Sequence, residues 1–188
     1  KDQHKHSWPK SIAVATAKNN KVRATEIIQI LGDIMPPKAA VQSTDDTVLD
    51  AIRRKNVSLD VIMTMAQSAV EKGAQSESEI ILCLEGDSKR AHFKTITDML
   101  DAQMTFIRMY QFMMLPGTQS SLKETRAKHQ METRFRVLPR CFGDYKIQGQ
   151  TSPVAEIEEI VVANRTMPYD DYQACRDFDL SIEIFNND

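Results

Sequence analysis

The most apolar segment of the chain lies near its middle, at 106–118. Seven of its first nine residues are apolar or aromatic, and the segment then ends in Leu115-Pro-Gly-Thr118. A nearly continuous apolar run of this length is typical of a strand buried on both faces, as in parallel sheets covered by helices. Pro116 cannot donate to a sheet and therefore ends the strand. Ligands in such folds bind where strands end, so polar residues near these ends are candidate site residues.

The rest of the chain alternates between short apolar segments and longer segments with helical spacing. Predicted strands lie at 11–16, 38–43, 78–84 and 133–138, and predicted helices at 21–31, 46–56, 59–72, 89–102, 119–130, 154–163 and 169–185. This alternation predicts an α/β protein with a parallel sheet and right-handed crossovers. The glycine-rich motifs of dinucleotide-binding and nucleotide-hydrolysing folds are absent from the sequence. Because five strands cannot close an eight-strand barrel, the predicted fold is an incomplete (β/α) TIM-like barrel.

Composition and charge narrow the possible partners. Of the 188 residues, 41% are hydrophobic and 27% are charged, which is sufficient for a globular core. The net charge of −2 argues against nucleic acid, and no apolar run reaches the roughly 18 to 20 residues of a membrane helix. The three cysteines fit no zinc or iron–sulfur spacing and suit a reducing cytoplasm. We therefore expect a cytoplasmic protein that acts on small molecules and carries no metal ligands in this chain.

The chain begins at Lys1 without an initiating Met and stops just after an apolar segment. We therefore expect a fragment of a longer protein. The predicted organisation is a barrel portion at 1–150 followed by a helical C-terminal extension at 151–188. How much sequence is missing at each end stays open, as does the oligomeric state.

Several stretches, taken in order, carry a resemblance to a known family. They are KAAVQS at 38–43 with DTVLDAIRRKN at 46–56, EIILCLEGD at 79–87, FIRMYQFMMLPGT at 106–118 and TRFRVLPRC at 133–141. Together they resemble the later half of the radical S-adenosylmethionine core, in the branch that carries a cobalamin-binding domain. The resemblance implies a partial (β/α)6 barrel. It departs from the family pattern at Cys83, where Gly is usual, and at Glu85, where Pro is usual.

The resemblance also implies cofactors and site residues. The cofactors are S-adenosylmethionine, a four-iron, four-sulfur cluster whose cysteine motif is absent from this chain, and cobalamin on a domain outside it. The implied cofactor-binding residues are Gln42 and Ser43 for ribose hydroxyls, Arg54 for the carboxylate, and Tyr110 and Gln111 for adenine or substrate. Plainer roles stay open for each of them, such as satisfying turn backbone or pairing with a helix end.

The alternation of side chains along the strand at 38–43 indicates which of its last two residues, Gln42 or Ser43, faces the interior. Because side chains alternate along a strand, Gln42 and Ser43 face opposite ways. Val41 is large enough to pack against covering helices, which assigns the interior to Ala40 and Gln42. We therefore expect Gln42 to be the inward ligand and Ser43 to be a loop or cap residue.

Three functional hypotheses follow. The first is a fragment of a radical S-adenosylmethionine enzyme that generates a 5'-deoxyadenosyl radical or performs cobalamin-dependent methyl transfer. The second is a cluster-free barrel lyase or aldolase that uses Lys18 as a strand-end amine. The third is a non-enzymatic interaction module that docks through acidic helices at 156–188. The substrate and the outcome of the reaction are not determined by the sequence.

Overall fold

The computed structural model describes residues 38–187 apart from 57 and 72–74, together with isolated positions between 5 and 34. The strands are β1 Lys38–Gln42, β2 Glu77–Leu82, β3 Phe106–Gln111, β4 Glu132–Ile147 and β5 Gln150–Ala163. The helices are α1 Asp46–Ala51, α2 Leu59–Glu71, α3 Lys89–Asp101, α4 Lys123–His129 and α5 Tyr169–Phe185, with a 3-10 turn at Gln119–Ser121. The predicted strand at 11–16, the helix at 21–31 and Lys18 lie almost entirely outside the described residues.

The first three strands form a parallel sheet in the order β1-β2-β3, which confirms the α/β class. β4 and β5 form an antiparallel hairpin. The hairpin is joined to the parallel sheet just beyond β3, where Val161 N donates to Phe112 O at 2.9 Å and Met114 N donates to Glu159 O at 2.8 Å. No closed barrel is formed by the residues that the structure describes.

The main core lies on one face of the parallel sheet. Alternate residues of the strands point to this face, where they meet apolar residues from α2, α3 and the end of α5. Its buried members include Val41, Ile62, Ala66, Ile80, Ile96, Met99, Ile107 and Ile182. A second cluster fills the space between the sheet end, β5 and α5, with Leu82, Cys83, Met114, Val161, Met167 and Cys175 among its members. Burial of these alternating positions is the main stabilising contribution to the sheet.

The expectation that the strand at 106–118 is buried on both faces was wrong. Only Ile107 of β3 is fully buried, while Arg108 and Tyr110 are exposed on the opposite face. The physical reason is that, within the described part of the chain, α5 and the core residues of α3 lie on the Ile107 side of this strand only. Arg108 uses the open face to pair with Glu77 of β2, with Nε 3.0 Å from Oε1.

The predicted helix at 154–163 was also wrong, because these residues belong to β5. Ile157, Ile160 and Val161 fit helical spacing, but β-branched residues also favour strands, and pairing with β4 decides between them. The extension at 151–188 is therefore helical only from Tyr169, and the boundary at 150 stays a prediction.

This correction also weakens the acidic docking face proposed for 156–188. Glu158 pairs with Arg136, Glu159 pairs with Arg126 through both of its oxygens, and Asp179 is buried. These three carboxylates are therefore used inside the fold.

The hairpin leaves an apolar stripe exposed on one face. Pairing of Val137 with Ile157 and of Phe142 with Ala155 places these residues together, with Phe135 in the same row. All but Ala155 are large and more than half exposed. None of the helices described is long and apolar enough to cross a membrane.

We expect the purified chain to self-associate through this stripe, because exposed apolar faces of two-stranded ribbons promote association. The double variant Phe135→Glu, Ile157→Lys should increase the monomer fraction in size-exclusion chromatography with light scattering. Leu180→Glu, on the exposed side of α5, is the matched control. A wild-type chain that elutes as a clean monomer would contradict the expectation.

Candidate functional site

A cleft of about 1000 Å³ opens at the carboxyl end of the parallel sheet. Its floor comes from the ends of the strands and the residues that follow them, and its rim from the residues after α1 and from the segment at 119–129. The floor residues are Gln42, Ile81, Leu84, Glu85 and Phe112, and the rim residues include Arg53, Arg54, Lys55, Ser120, Glu124, Lys128 and His129. Such a volume accommodates a molecule of nucleoside size or larger.

Gln42 lies at the end of β1 and borders this cleft. Its backbone has a φ of 65°, and the register between β1 and β2 shifts between Ala40 and Gln42. This local irregularity ends the strand and turns the chain toward α1. The structure thus places Gln42 in the lining of the cleft.

Ser43 has a different environment. Its hydroxyl oxygen lies 3.4 Å from Thr95 Oγ1 and accepts a hydrogen bond from Asp45 N at 3.2 Å. Ser43 is buried and is absent from the cleft lining. The two adjacent residues therefore lie in different surroundings, and Ser43 supports the turn between β1 and α1.

Arg54 borders the cleft, but its guanidinium is already engaged. It donates to Ala40 O and, through Nε, to Asn56 Oδ1 at 3.0 Å. Asn56 in turn donates to Val41 O at 2.8 Å and to Ser43 O at 2.6 Å. Burial lowers the pKa of Arg54 from its ordinary value. Arg54 and Asn56 thus clamp the end of β1, which leaves Arg54 less free to hold a ligand carboxylate than the resemblance implies.

Tyr110 and Gln111 do not meet at the cleft. Tyr110 is 46% exposed on the open face of the sheet. Gln111 points the other way, and its side-chain carbonyl accepts a hydrogen bond from the Arg136 guanidinium of β4. Neither residue lines the cleft, and neighbouring residues of β3 face opposite sides, so the contact to adenine or substrate that the resemblance implies stays a prediction.

The loop after β2 forms part of the cleft floor and has a constrained backbone. Cys83 and Gly86 both have positive φ, at 70° and 78°. Asp87 stabilises this shape, because its carboxylate accepts hydrogen bonds from Cys83 N and Ser88 N, each at 2.8 Å. Asn164 donates to Leu84 O at 2.9 Å from the far side. Cys83 thus adopts a left-handed conformation that suits the glycine usual in the family it resembles.

Glu85 lies on the cleft floor but was not among the candidate site residues named from the sequence. Its side chain is 5% exposed, it lines the cleft, and it accepts a hydrogen bond from the Ser120 hydroxyl. The sequence signal that could have found it is its departure from the family pattern, where proline is usual. A carboxylate is rarely buried unless it is paired, so its presence on the floor needs a reason.

Asp87 makes the fold sensitive to pH. Burial raises the pKa of its carboxyl to about 6, although the His92 charge and the two backbone N–H groups act in the opposite direction. Because the folded state prefers the protonated form, the resulting stabilisation is fully present below the ordinary pKa of 3.8 and is lost as the pH rises through about 6.

We expect the free energy of unfolding to fall by about 2 kcal/mol between pH 4 and pH 6 through Asp87 alone. Urea denaturation of wild type and of Asp87→Asn, which does not titrate, isolates this contribution. The two stability profiles should diverge across this range, and parallel profiles would contradict the expectation.

The cysteines described here do not fit the ligands of an iron–sulfur cluster. Burial raises the pKa of Cys175 to about 12, and it raises the pKa of Cys83 as well, so both thiols resist forming the thiolate that binds iron. Within the described ranges, no group of three or more His, Cys, Asp or Glu side chains is positioned to hold a metal ion. The polar and apolar lining of the cleft does fit a nucleoside, with Gln42 as a hydrogen-bonding group and Phe112 and Ile81 as apolar surface.

Comparison with known proteins indicates which class of enzyme this chain resembles. No protein-family model matches the chain. It is 30% identical over 183 residues to the 2-(S-pantetheinyl)-carbapenam-3-carboxylate methyltransferase of Streptantibioticus cattleyicolor. It is 27% identical over the same length to TokK of Streptomyces tokunonensis, a cobalamin-dependent radical SAM methyltransferase.

Each match covers 95% of this chain but 26% of the relative, so the chain spans about a quarter of the length of these proteins. The similarity is therefore to methyltransferases, one of them cobalamin-dependent and of the radical S-adenosylmethionine type, at a distant level.

Proposed function

We propose that this chain is part of a cobalamin-dependent radical S-adenosylmethionine methyltransferase and supplies the nucleoside-binding side of its active-site cleft. The observation that carries the proposal is the position of Gln42 at the carboxyl end of β1, on a cleft large enough for the cofactor. The similarity to two methyltransferases along almost the whole chain supports the same class. In this proposal the described sheet is a section of a partial barrel that other parts of the enzyme complete.

The cofactors of such an enzyme supply one-electron cleavage of S-adenosylmethionine and the methyl group that is transferred. The residues of this chain bind and orient. The Gln42 amide offers a donor and an acceptor to ribose hydroxyls, while Phe112, Ile81 and Leu84 offer apolar surface to the adenine ring. Beneath them, Ile81 and Phe112 pack against the buried cluster of Val48, Leu84 and Ala91, and this apolar floor keeps water away from one side of the bound nucleoside. The iron–sulfur cluster and cobalamin belong to segments outside this chain.

The experiment that tests the proposal is calorimetric titration of the chain with S-adenosylhomocysteine. We expect Gln42→Ala to weaken binding by about 1 to 2 kcal/mol, because a ligand hydroxyl loses its partner. Ser43→Ala should weaken binding less, since Ser43 supports the turn and does not border the cleft.

The matched control is Gln173→Ala, which removes the same side chain from an exposed position on α5. Circular dichroism shows whether each variant keeps its fold. A larger loss for Ser43→Ala than for Gln42→Ala would contradict the assignment of Gln42, and a folded wild-type chain that binds no nucleoside would contradict the proposed function.

A further inference from the structure

Glu85 combines three properties that rarely occur together. It is almost fully buried, it is a carboxylate, and it lies on the floor of the cleft. One of its oxygens, Oε1, accepts the hydrogen bond from Ser120. The other oxygen, Oε2, has no hydrogen-bond partner among the residues that the structure describes.

This second oxygen is nevertheless open to the cleft. No side-chain oxygen or nitrogen in the described part of the chain is both sealed from solvent and unpaired, so Oε2 retains access to the cleft space. A carboxylate accepts several hydrogen bonds, and an unpaired one in a largely buried position costs free energy. The arrangement leaves Glu85 with a strong acceptor directed at whatever occupies the cleft.

The charges around the cleft indicate what kind of donor this acceptor serves. The exposed rim carries charges of both signs, with Arg53, Lys55 and Lys128 beside Asp50 and Glu124, whereas Glu85 lies on the floor. Burial lowers the pKa of His129, and the Glu85 charge acts in the opposite direction, which places the two within electrostatic reach. Among the described residues the partner of Glu85 is the neutral Ser120 hydroxyl and not one of these rim cations, so the floor carboxylate suits a second neutral hydroxyl donor.

We propose that Glu85 is a specificity-determining residue whose Oε2 accepts a hydrogen bond from a ribose hydroxyl of the bound nucleoside. This inference rests on the proposed function, because it assumes that a nucleoside occupies the cleft. Gln42 and Glu85 come from the ends of the adjacent strands β1 and β2, so an amide and a carboxylate border the same part of the floor. Proline at position 85, as the family resemblance leads one to expect, has no side-chain acceptor for this contact.

The test measures the dissociation constants of adenosine, 2'-deoxyadenosine, 3'-deoxyadenosine and purine riboside for wild type and variants. Glu85→Gln should weaken adenosine binding by about tenfold, since it replaces one charged acceptor by an amide. One of the two deoxynucleosides should bind the wild type about tenfold more weakly than adenosine and should lose nothing further in Glu85→Gln. Purine riboside, which lacks the 6-amino group, should lose as much as adenosine does.

Three further variants serve as controls for this interpretation. Ser120→Ala removes the contact to Oε1, and Glu132→Gln removes an exposed carboxylate at the start of β4 that does not line the cleft. Glu132→Gln should leave adenosine binding within about twofold of wild type. Ser120→Ala should weaken binding less than Glu85→Gln does, because the proposed contact to Oε2 remains. Glu85→Ala repeats the measurement if the glutamine variant unfolds, as judged by circular dichroism.

Each other result overturns the inference in a recognisable way. If Glu85→Gln weakens the binding of all four nucleosides equally and Ser120→Ala does the same, Glu85 only anchors the segment at 119–121. If purine riboside is the nucleoside that loses nothing further in Glu85→Gln, the contact belongs to the 6-amino group of adenine and not to a ribose hydroxyl. Normal nucleoside binding in Glu85→Gln would remove the inference and leave the proposed function standing. A folded wild-type chain without nucleoside affinity would remove both.

Discussion

Replacing Asp179 by alanine is expected to lower the free energy of unfolding by about 4 kcal/mol, the largest single effect that the structure suggests. Asp179 of α5 and His92 of α3 are both 2% exposed at their side chains, and Oδ1 of the aspartate lies 2.7 Å from Nε2 of the histidine. Arg176 adds a contact to Oδ2 at 3.2 Å. Removing the carboxylate leaves the buried imidazole without its partner, and the desolvation of that group is no longer compensated.

The pair also joins two helices that both cover the sheet. α3 and α5 contact each other directly, and Phe93 packs against Phe178 with ring centroids 4.4 Å apart. Loss of the His92–Asp179 contact therefore weakens the packing of α3 against α5 above β3, in addition to leaving the His92 imidazole without its partner. The remaining aromatic contact is expected to keep the variant folded at low temperature.

Urea denaturation followed by circular dichroism measures this effect. Asp177→Ala is the matched control, because Asp177 is exposed on the same helix two residues away. The double variant His92→Leu, Asp179→Leu should recover much of the lost stability, since an apolar pair leaves no buried polar group unpaired. Equal losses for the Asp177 and Asp179 variants would show that the buried pair contributes little.

Replacing Asn164 by alanine is expected to lower the free energy of unfolding by about 3 kcal/mol. Asn164 is buried, and its side chain connects the end of β5 to the cleft loop. Its Nδ2 donates to Leu84 O at 2.9 Å, and its Oδ1 accepts from Thr166 N at 2.8 Å and from Met167 N at 2.9 Å. Alanine removes these hydrogen bonds at about 1 kcal/mol each, while Leu84 O keeps its bond from Asp87 N and Met167 N keeps its bond to the Asn164 carbonyl.

This variant also tests whether the hydrogen bond from Asn164 keeps the loop after β2 in its shape. Because Leu84 borders the cleft, loosening its carbonyl should weaken nucleoside binding along with stability. Asn186→Ala is the control, since among the described residues the Asn186 side chain makes one long hydrogen bond, of 3.3 Å, at the end of α5. Denaturation and nucleoside titration on the same preparations give both results. Unchanged nucleoside affinity in a destabilised Asn164→Ala would show that the loop keeps its shape without this support.

Much of the fold could be predicted from local patterns. The short apolar segments at 38–43 and 78–84 predicted strands of a sheet covered by helices, and Val41, Ile80 and Leu82 of β1 and β2 are buried. Asp45 and Ser88 cap α1 and α3 through their side chains, as such residues do at helix starts. The parity argument for Gln42 and Ser43 stays a prediction, because the register shift at the end of β1 interrupts the alternation on which it relied.

The predictions failed where one residue pattern suits two structures. Apolar residues at 157, 160 and 161 fit a helix face, yet they lie in β5 because β4 offers a long pairing partner with Arg136 opposite Glu158. The apolar run at 106–111 suggested burial on both faces, whereas the described helices cover only one. In each case the missing information was the identity of the neighbouring segment.

The sequence by itself thus determined the class of fold, the order of its central elements and the position of Gln42 at a strand end. Only the tertiary structure decided which distant side chains meet, such as Glu85 with Ser120 across 35 positions and His92 with Asp179 across 87. The physical reason is that periodicity records which side of an element is apolar, through interactions between near neighbours. A buried polar contact depends instead on how whole elements pack, and no local pattern carries that information.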